Sequence, residues 1–142
     1  MNVEHRVHFV NGTTYDQKSF EARIKYDQPI AEMVALFHTL AEKKDNRIIF
    51  CTGRRETTRT DTQLQIDKLT EDLVRKNSKL RFPIYMRAND DVRPDPEVKS
   101  DLYDQMLVDG FKPLLIFEDR ASVVKMWRGK GIRCLQPADG NF

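Results

Sequence analysis

The sequence predicts an α/β protein: a mostly parallel sheet with helices on both faces, in one domain spanning residues 1–142. Two observations carry this. Arg47-Ile48-Ile49-Phe50-Cys51 and Lys112–Phe117 are short, continuous apolar runs, as in strands buried on both faces of a parallel sheet. Segments with apolar residues at helical spacing alternate with such runs across short connections, which is the signature of βαβ units. At 142 residues the chain is long enough to bury a core without staples.

The elements follow in order. Ile30, Met33, Val34, Phe37, Leu40 and Ala41 recur at helical spacing, with Pro29 placed to open the helix. The Arg47–Cys51 strand stops at Thr52-Gly53-Arg54. Asp61 then suits the cap of a helix with Leu64, Leu69, Leu73 and Val74 on one face. Phe82–Met86 is a weaker strand, with Pro83 at its start or edge. After a polar loop over Arg87–Asp95, a helix carries Val98, Leu102, Tyr103, Met106 and Leu107 and ends at Gly110. Lys112–Phe117 stops at Glu118-Asp119-Arg120. Val123, Val124 and Trp127 mark a helix ending near Gly129, and Ile132–Leu135 is a last strand.

Composition excludes several classes. Lys plus Arg is 24 and Asp plus Glu is 22, so the net charge of +2 argues neither for nucleic acid nor for a membrane. Cys51 and Cys134 lie inside apolar runs, where a free thiol behaves as a small hydrophobe. Neither they nor His5, His8 and His38 have zinc spacing. The first residues lack a signal-peptide pattern, and the longest uncharged apolar run, Pro113–Phe117, is far short of a membrane span. A reducing, cytoplasmic setting is the expectation, that of the host if the chain is phage-encoded.

In an open α/β sheet, ligands bind beyond the carboxyl ends of the strands. The Thr52 hydroxyl and the bare Gly53 backbone suit an oxyanion, although an ordinary strand-to-helix turn uses the same residues. Glu118 and Asp119 suit a hard cation such as Mg²⁺; equally, they complement a helix N-terminus. Lys99 can neutralise a phosphate, or be a solvated helix lysine. Arg54, Arg55 and Arg59 follow the first apolar strand on the ligand side, while Lys125, Arg128, Lys130 and Arg133 lie near a helix C-terminus and complement its dipole. A cysteine phosphatase would need an arginine six residues after Cys51, where Thr57 stands, and is rejected.

Taken in order, these stretches resemble the haloacid dehalogenase (HAD) superfamily of phosphatases, most closely the 3′-phosphatase domain of phage polynucleotide kinase/phosphatase. The likeness runs from about His5 to Phe142. Ile48 to Arg54 resembles the second motif, Lys99 within Arg93–Lys99 the third-motif lysine, and Leu115 to Arg128 the fourth motif. Gln136–Phe142 is similar too. The resemblance implies a three-layer Rossmann-like fold, a phosphate site at Thr52, Gly53, Arg54 and Lys99, and Mg²⁺ at Glu118 and Asp119.

The departure lies in the first motif, Asp-x-Asp-Gly-Thr, whose first Asp is the family's nucleophile and whose second is its acid/base. No Asp-x-Asp occurs in this chain. In one register Val7–Thr13 is a decayed motif, with Phe9 in place of the nucleophile and Asn11 in place of the acid/base. In the other, Glu4–Phe9 resembles the stretch after the motif and the chain begins beyond the catalytic strand. Val3–Val10 alternates apolar and polar residues, which favours the second register. Either way the expectation is a phosphatase relative, silent as this chain alone, that keeps weak Mg²⁺ binding and holds a phosphate or polynucleotide 3′ end. A repurposed phage fold that binds or inhibits a host protein is the alternative. A missing central strand predicts a homodimer or a strand-donating protein partner, with residues 3–10 in the contact.

Overall fold

The structure, a computed structural model, describes residue 1 and residues 16–140. Phe9, Asn11 and the Val3–Val10 strand lie outside the described residues. The helices are α1 (Gln17–Ala22), α2 (Ala31–Ala41), α3 (Arg59–Lys76), α4 (Asp95–Val108) and α5 (Ala121–Gly129). The strands are β1 (Phe50–Arg55), β2 (Ile84–Arg87), β3 (Leu115–Phe117) and β4 (Arg133–Leu135). Short 3₁₀ turns occupy Ile24–Tyr26 and Glu56–Thr58. β1 pairs with β2, and β3 pairs with β4. The second pair is parallel, with Leu115 opposite Arg133, Ile116 opposite Cys134 and Phe117 opposite Leu135. Helices thus alternate with strands, as the α/β class requires.

The elements group into two compact units, one of Met1–Phe50 and Arg54–Tyr85, the other of Cys51–Gly53 and Met86–Phe142. In the first unit, Phe37 on α2 meets Phe50 and Phe82, each with ring centroids 5.5 Å apart. His38 Nε2–H donates to the Leu69 carbonyl at 2.7 Å and ties α2 to α3. The Phe50 N–H donates to the Pro83 carbonyl at 2.9 Å, so Pro83 serves as an acceptor just ahead of β2. The inner face of α3 differs from the one expected. Thr62, Ile66, Thr70 and Leu73 are buried, while Leu64 is exposed. The threonines are tolerated inside because their hydroxyls are satisfied: Thr70 donates to the Ile66 carbonyl at 2.9 Å, and Thr62 accepts from Arg54 at 3.1 Å. The helix starts at Arg59, so Asp61 is a first-turn acid rather than the cap.

In the second unit the core is Val123, Val124, Trp127 and Cys134, flanked by Tyr103, Ile116, Met126 and Ile132. The apolar positions of α5 are therefore its buried ones. The Tyr103 and Trp127 rings meet edge-on at 5.7 Å. Both α4 and α5 end in the same device. Gly110 (φ +86°) donates to Leu107 and Phe111 to Met106; Gly131 (φ +77°) donates to Arg128 and Ile132 to Trp127. A left-handed residue there returns two orphan carbonyls to the helix end, which is why glycine stands at both positions.

Strand limits and burial depart from the apolar runs. β1 continues through Thr52-Gly53-Arg54-Arg55 and is only half-buried throughout. In β3 the expectation of burial on both faces fails for Leu115, 45% exposed, while Ile116 enters the core. Pairing with one neighbour is enough to make a strand, whether or not a helix covers its apolar side chains.

Candidate functional site

The second unit brings together most of the expected site. The turn after β3 carries Glu118, Asp119 and Arg120; β1 supplies Cys51, Thr52 and Gly53; α4 supplies Asp95 and Lys99. Lys99 Nζ lies 2.5 Å from Glu118 Oε2, and both side chains are only 9% exposed. Glu118 Oε1 also accepts the Arg120 backbone N–H at 3.1 Å. Lys99 is thus no solvated helix lysine: it is a buried cation with a buried counter-ion. Such a pair costs solvation to bury, so it is weak evidence for stability and more telling about chemistry.

Two residues that sequence reasoning missed hold this cluster. Asp95 receives Arg120 Nη1–H at 2.8 Å and pairs with Arg87 through Nη2. Arg87, at the end of β2, is buried and donates also to the carbonyls of Gly53 at 3.0 Å, Asp91 at 3.2 Å and Arg93 at 2.6 Å. One guanidinium therefore joins β1, the loop before α4 and the first turn of α4. The available signal was a strand-terminal arginine followed, eight residues on, by an aspartate that opens a helix. Gly53 has a reason apart from oxyanion approach, because a β-carbon there would stand 2.6 Å from Asp95 Oδ1.

Asp119 is exposed, and its turn is held from the C-terminal side. Gln136 Nε2 donates to the Asp119 carbonyl at 2.8 Å, and the Ala121 N–H donates to the Gly140 carbonyl at 2.8 Å. Arg120 and Gly140 form a parallel bridge, and Gly140 lies directly against the Asp119 carbonyl. The similarity of the Gln136–Gly140 stretch thus has a structural use.

Arg54 belongs to the first unit, where its guanidinium donates to Asp27 at 2.6 Å, Gln65 at 2.8 Å and Thr62 at 3.1 Å. The Asp27 side chain is fully buried in that pair. Four of the other basic residues also have protein partners. Arg55 lies 3.9 Å from Glu21, Arg59 pairs with Glu56 at 2.5 Å, and Arg128 donates to the Cys134 carbonyl at 3.0 Å. Lys130 stands 5.5 Å from the Tyr103 ring centroid.

Cys51 lies beside the Lys99–Glu118 pair, yet burial pushes its thiol up to about 11; Lys99 opposes this and Glu118 and Asp95 add to it. A thiol that stays protonated is a poor nucleophile, consistent with rejecting cysteine chemistry. For Mg²⁺ the residues do not fit as placed. Both Glu118 oxygens are engaged by protein donors, and no three His, Cys, Asp or Glu side chains gather into a ligand group among the described residues.

The alternating strands and helices, with charged turns at strand ends, define a Rossmann-like α/β fold. The chain belongs to the family of the polynucleotide kinase PNKP phosphatase domain, whose family profile matches residues 10–142. A protein of Autographa californica nuclear polyhedrosis virus named as a bifunctional polynucleotide kinase/RNA ligase is 28% identical over 118 residues. That match covers 83% of this chain and 16% of the viral protein. Among solved structures, a Pnkp1/Rnl/Hen1 complex contains a chain with a TM-score of 0.64 and 22% identity, covering 83% of this chain and 38% of that one. A second, titled a Pnkp1/Rnl/Hen1 RNA repair complex, gives a TM-score of 0.62 at 22% identity, covering 83% and 35%. The chain therefore spans well under half of each of these relatives. No helix among the described residues is long and apolar enough to cross a membrane.

Proposed function

We propose that this chain binds the phosphate-bearing 3′ end of a polynucleotide at the turn after β3 and, by itself, does not hydrolyse it. The observation that carries the reading is the buried Lys99 cation, held at a strand end by the single carboxylate of Glu118. A phosphate monoester brings more charge than that carboxylate and exchanges for it, with Lys99 passing from Glu118 to a phosphate oxygen. Thr52 and Gly53 on β1 complete the phosphate contacts; Arg54, given to Asp27, contributes by fixing the strand that carries them. Turnover is not expected, because the sequence has no Asp-x-Asp and the Cys51 thiol stays protonated. No step in this reading passes through Mg²⁺, since both Glu118 oxygens are held by protein donors. The chain works in the cytoplasm, the host's where it is phage-encoded.

The test is affinity for a single-stranded oligonucleotide with and without a 3′-phosphate, measured against salt. The phosphorylated form should bind more tightly, with a log–log salt slope of about −0.7 per neutralised phosphate. Lys99→Met should erase the preference. Equal affinity for both ends would overturn the binding role. Mg²⁺-dependent release of phosphate, abolished by Asp119→Asn, would overturn the silence.

A second reading, a protein-binding module, is favoured by Leu114, 77% exposed, next to Leu115 of β3, 45% exposed. A strand added along β3, from a second copy or from a donating partner, would cover them. Residues 3–10 are the segment we assign to that contact. A stable monomer by light scattering at micromolar concentration, unchanged by deleting residues 1–10, would remove the homodimer.

A further inference from the structure

Tyr26 is a large aromatic side chain left in solvent, 56% exposed, on a 3₁₀ turn of only three residues, Ile24–Tyr26. A turn that short has little stiffness of its own, and this one is anchored from beneath. Ile24 is 1% exposed, and its carbonyl accepts Gln65 Nε2–H at 2.7 Å from α3. Asp27, directly after the turn, is buried against Arg54 at 2.6 Å. Gln28 Nε2 donates to the Tyr26 carbonyl at 3.2 Å. Two buried anchors, an aliphatic and an ion pair, therefore flank the exposed ring and fix its backbone. A cation stands beside it: Lys25 is exposed, and its Nζ lies 5.2 Å from the Tyr26 ring centroid.

We infer that Tyr26 is a stacking platform for a nucleobase of a single-stranded polynucleotide, with Lys25 facing the adjoining phosphate. This rests on the polynucleotide reading above and adds a base contact to it. Non-sequence-specific binding of single strands combines these two parts, an aromatic face that any base can cover and cations that follow the backbone. An exposed ring on a rigid mount loses little freedom when a base settles on it, which is what separates a platform from a mobile surface tyrosine. The Lys25 ammonium is attracted by the ring and is held beside it, where a phosphate next to a stacked base would meet it.

The experiment is a binding isotherm by fluorescence anisotropy, using the full chain and a labelled 3′-phosphorylated oligothymidylate. A matched oligonucleotide that is abasic throughout serves as the comparison. Tyr26→Ala should weaken binding of the base-bearing strand about 5- to 100-fold, and Tyr26→Phe should retain it. On the abasic strand Tyr26→Ala and the parent should bind alike. Lys25→Gln should reduce the salt slope by about 0.7 on both strands. Tyr26 is exposed, so a matching thermal melt of Tyr26→Ala confirms that the fold is retained. Parent-like affinity of Tyr26→Ala for the base-bearing strand, or an equal loss on both strands, overturns the platform while the 3′-phosphate preference and its loss in Lys99→Met still stand. No binding of either strand by the parent overturns both readings together.

Discussion

Asp95 holds its carboxylate against Gly53 so closely that a β-carbon at position 53 would meet Oδ1 at 2.6 Å. That carboxylate cannot swing aside cheaply, since Arg87 and Arg120 both grip it. Gly53→Ala should therefore cost about 1–3 kcal/mol in urea unfolding, the usual range for overpacking. In an Asp95→Ala background the added methyl should cost clearly less, because the clash is gone. Additive effects of the two substitutions would show that Gly53 is required for another reason.

The Lys99–Glu118 pair gives a second prediction. Lys99→Met alone or Glu118→Leu alone leaves one charge buried without its partner, which typically costs about 3–5 kcal/mol. The double substitution should recover most of that loss, since an apolar pair of similar size needs no solvation. Denaturant melts of the four proteins decide it; a double variant as unstable as the sum of its parts would exclude a direct coupling.

Much of this arrangement was legible in the sequence, and the reasons for the remainder are physical. Val123, Val124 and Trp127 repeat at helical spacing and form the core of the second unit, and Gly110 ends α4 where expected. The Glu118-Asp119 turn was visible as a break after an apolar run, whereas the break expected at Thr52-Gly53 is absent, because pairing with β2 carries β1 on to Arg55. Arg87 and Asp95 were not visible, because an arginine at a strand end and an aspartate before a helix each have ordinary local explanations. Only the fold brings them eight residues back together. α1 and the Ile24–Tyr26 turn were missed because such short elements cannot show a period. On α3, hydrophobicity pointed to Leu64, while the buried positions go to threonines whose hydroxyls are bonded within the fold.

A third prediction concerns Cys51. Its thiol rises from an ordinary 9.0 to about 11 because burial disfavours the thiolate. The unfolded chain therefore loses this proton at lower pH than the folded one. The sign follows: the contribution to stability is full below pH 9.0 and is lost as pH rises towards about 11. Parent and Cys51→Ala should accordingly converge or cross in stability over that window, by about 2–3 kcal/mol at most. Thiol labelling below pH 9.0 should be slow until denaturant is added. Rapid labelling of the native protein at Cys51 would contradict the upward shift of its thiol.

The Arg54–Asp27 pair should act at a distance along the chain. Arg54→Ala strands a fully buried carboxylate and should cost about 3–5 kcal/mol in urea unfolding. Asp27→Asn keeps a hydrogen-bond acceptor for the guanidinium and should cost less. Hydrogen exchange should quicken most at Ile24–Asp27, whose anchors depend on this pair. A uniform change across the first unit would mean that the pair does not secure that turn.

The grip of Gln136 and Gly140 on the Asp119 turn sets an order of events during synthesis. Asp119 is made 21 residues before Gly140, yet its turn is completed only when Gly140 can reach it. At the pace of a ribosome that is a lag of about one to four seconds. Through that interval all of α5 has been made while the turn that presents Glu118 still lacks its last support. In a growing chain, the Asp119 turn is therefore completed only after α5 and β4 have been made.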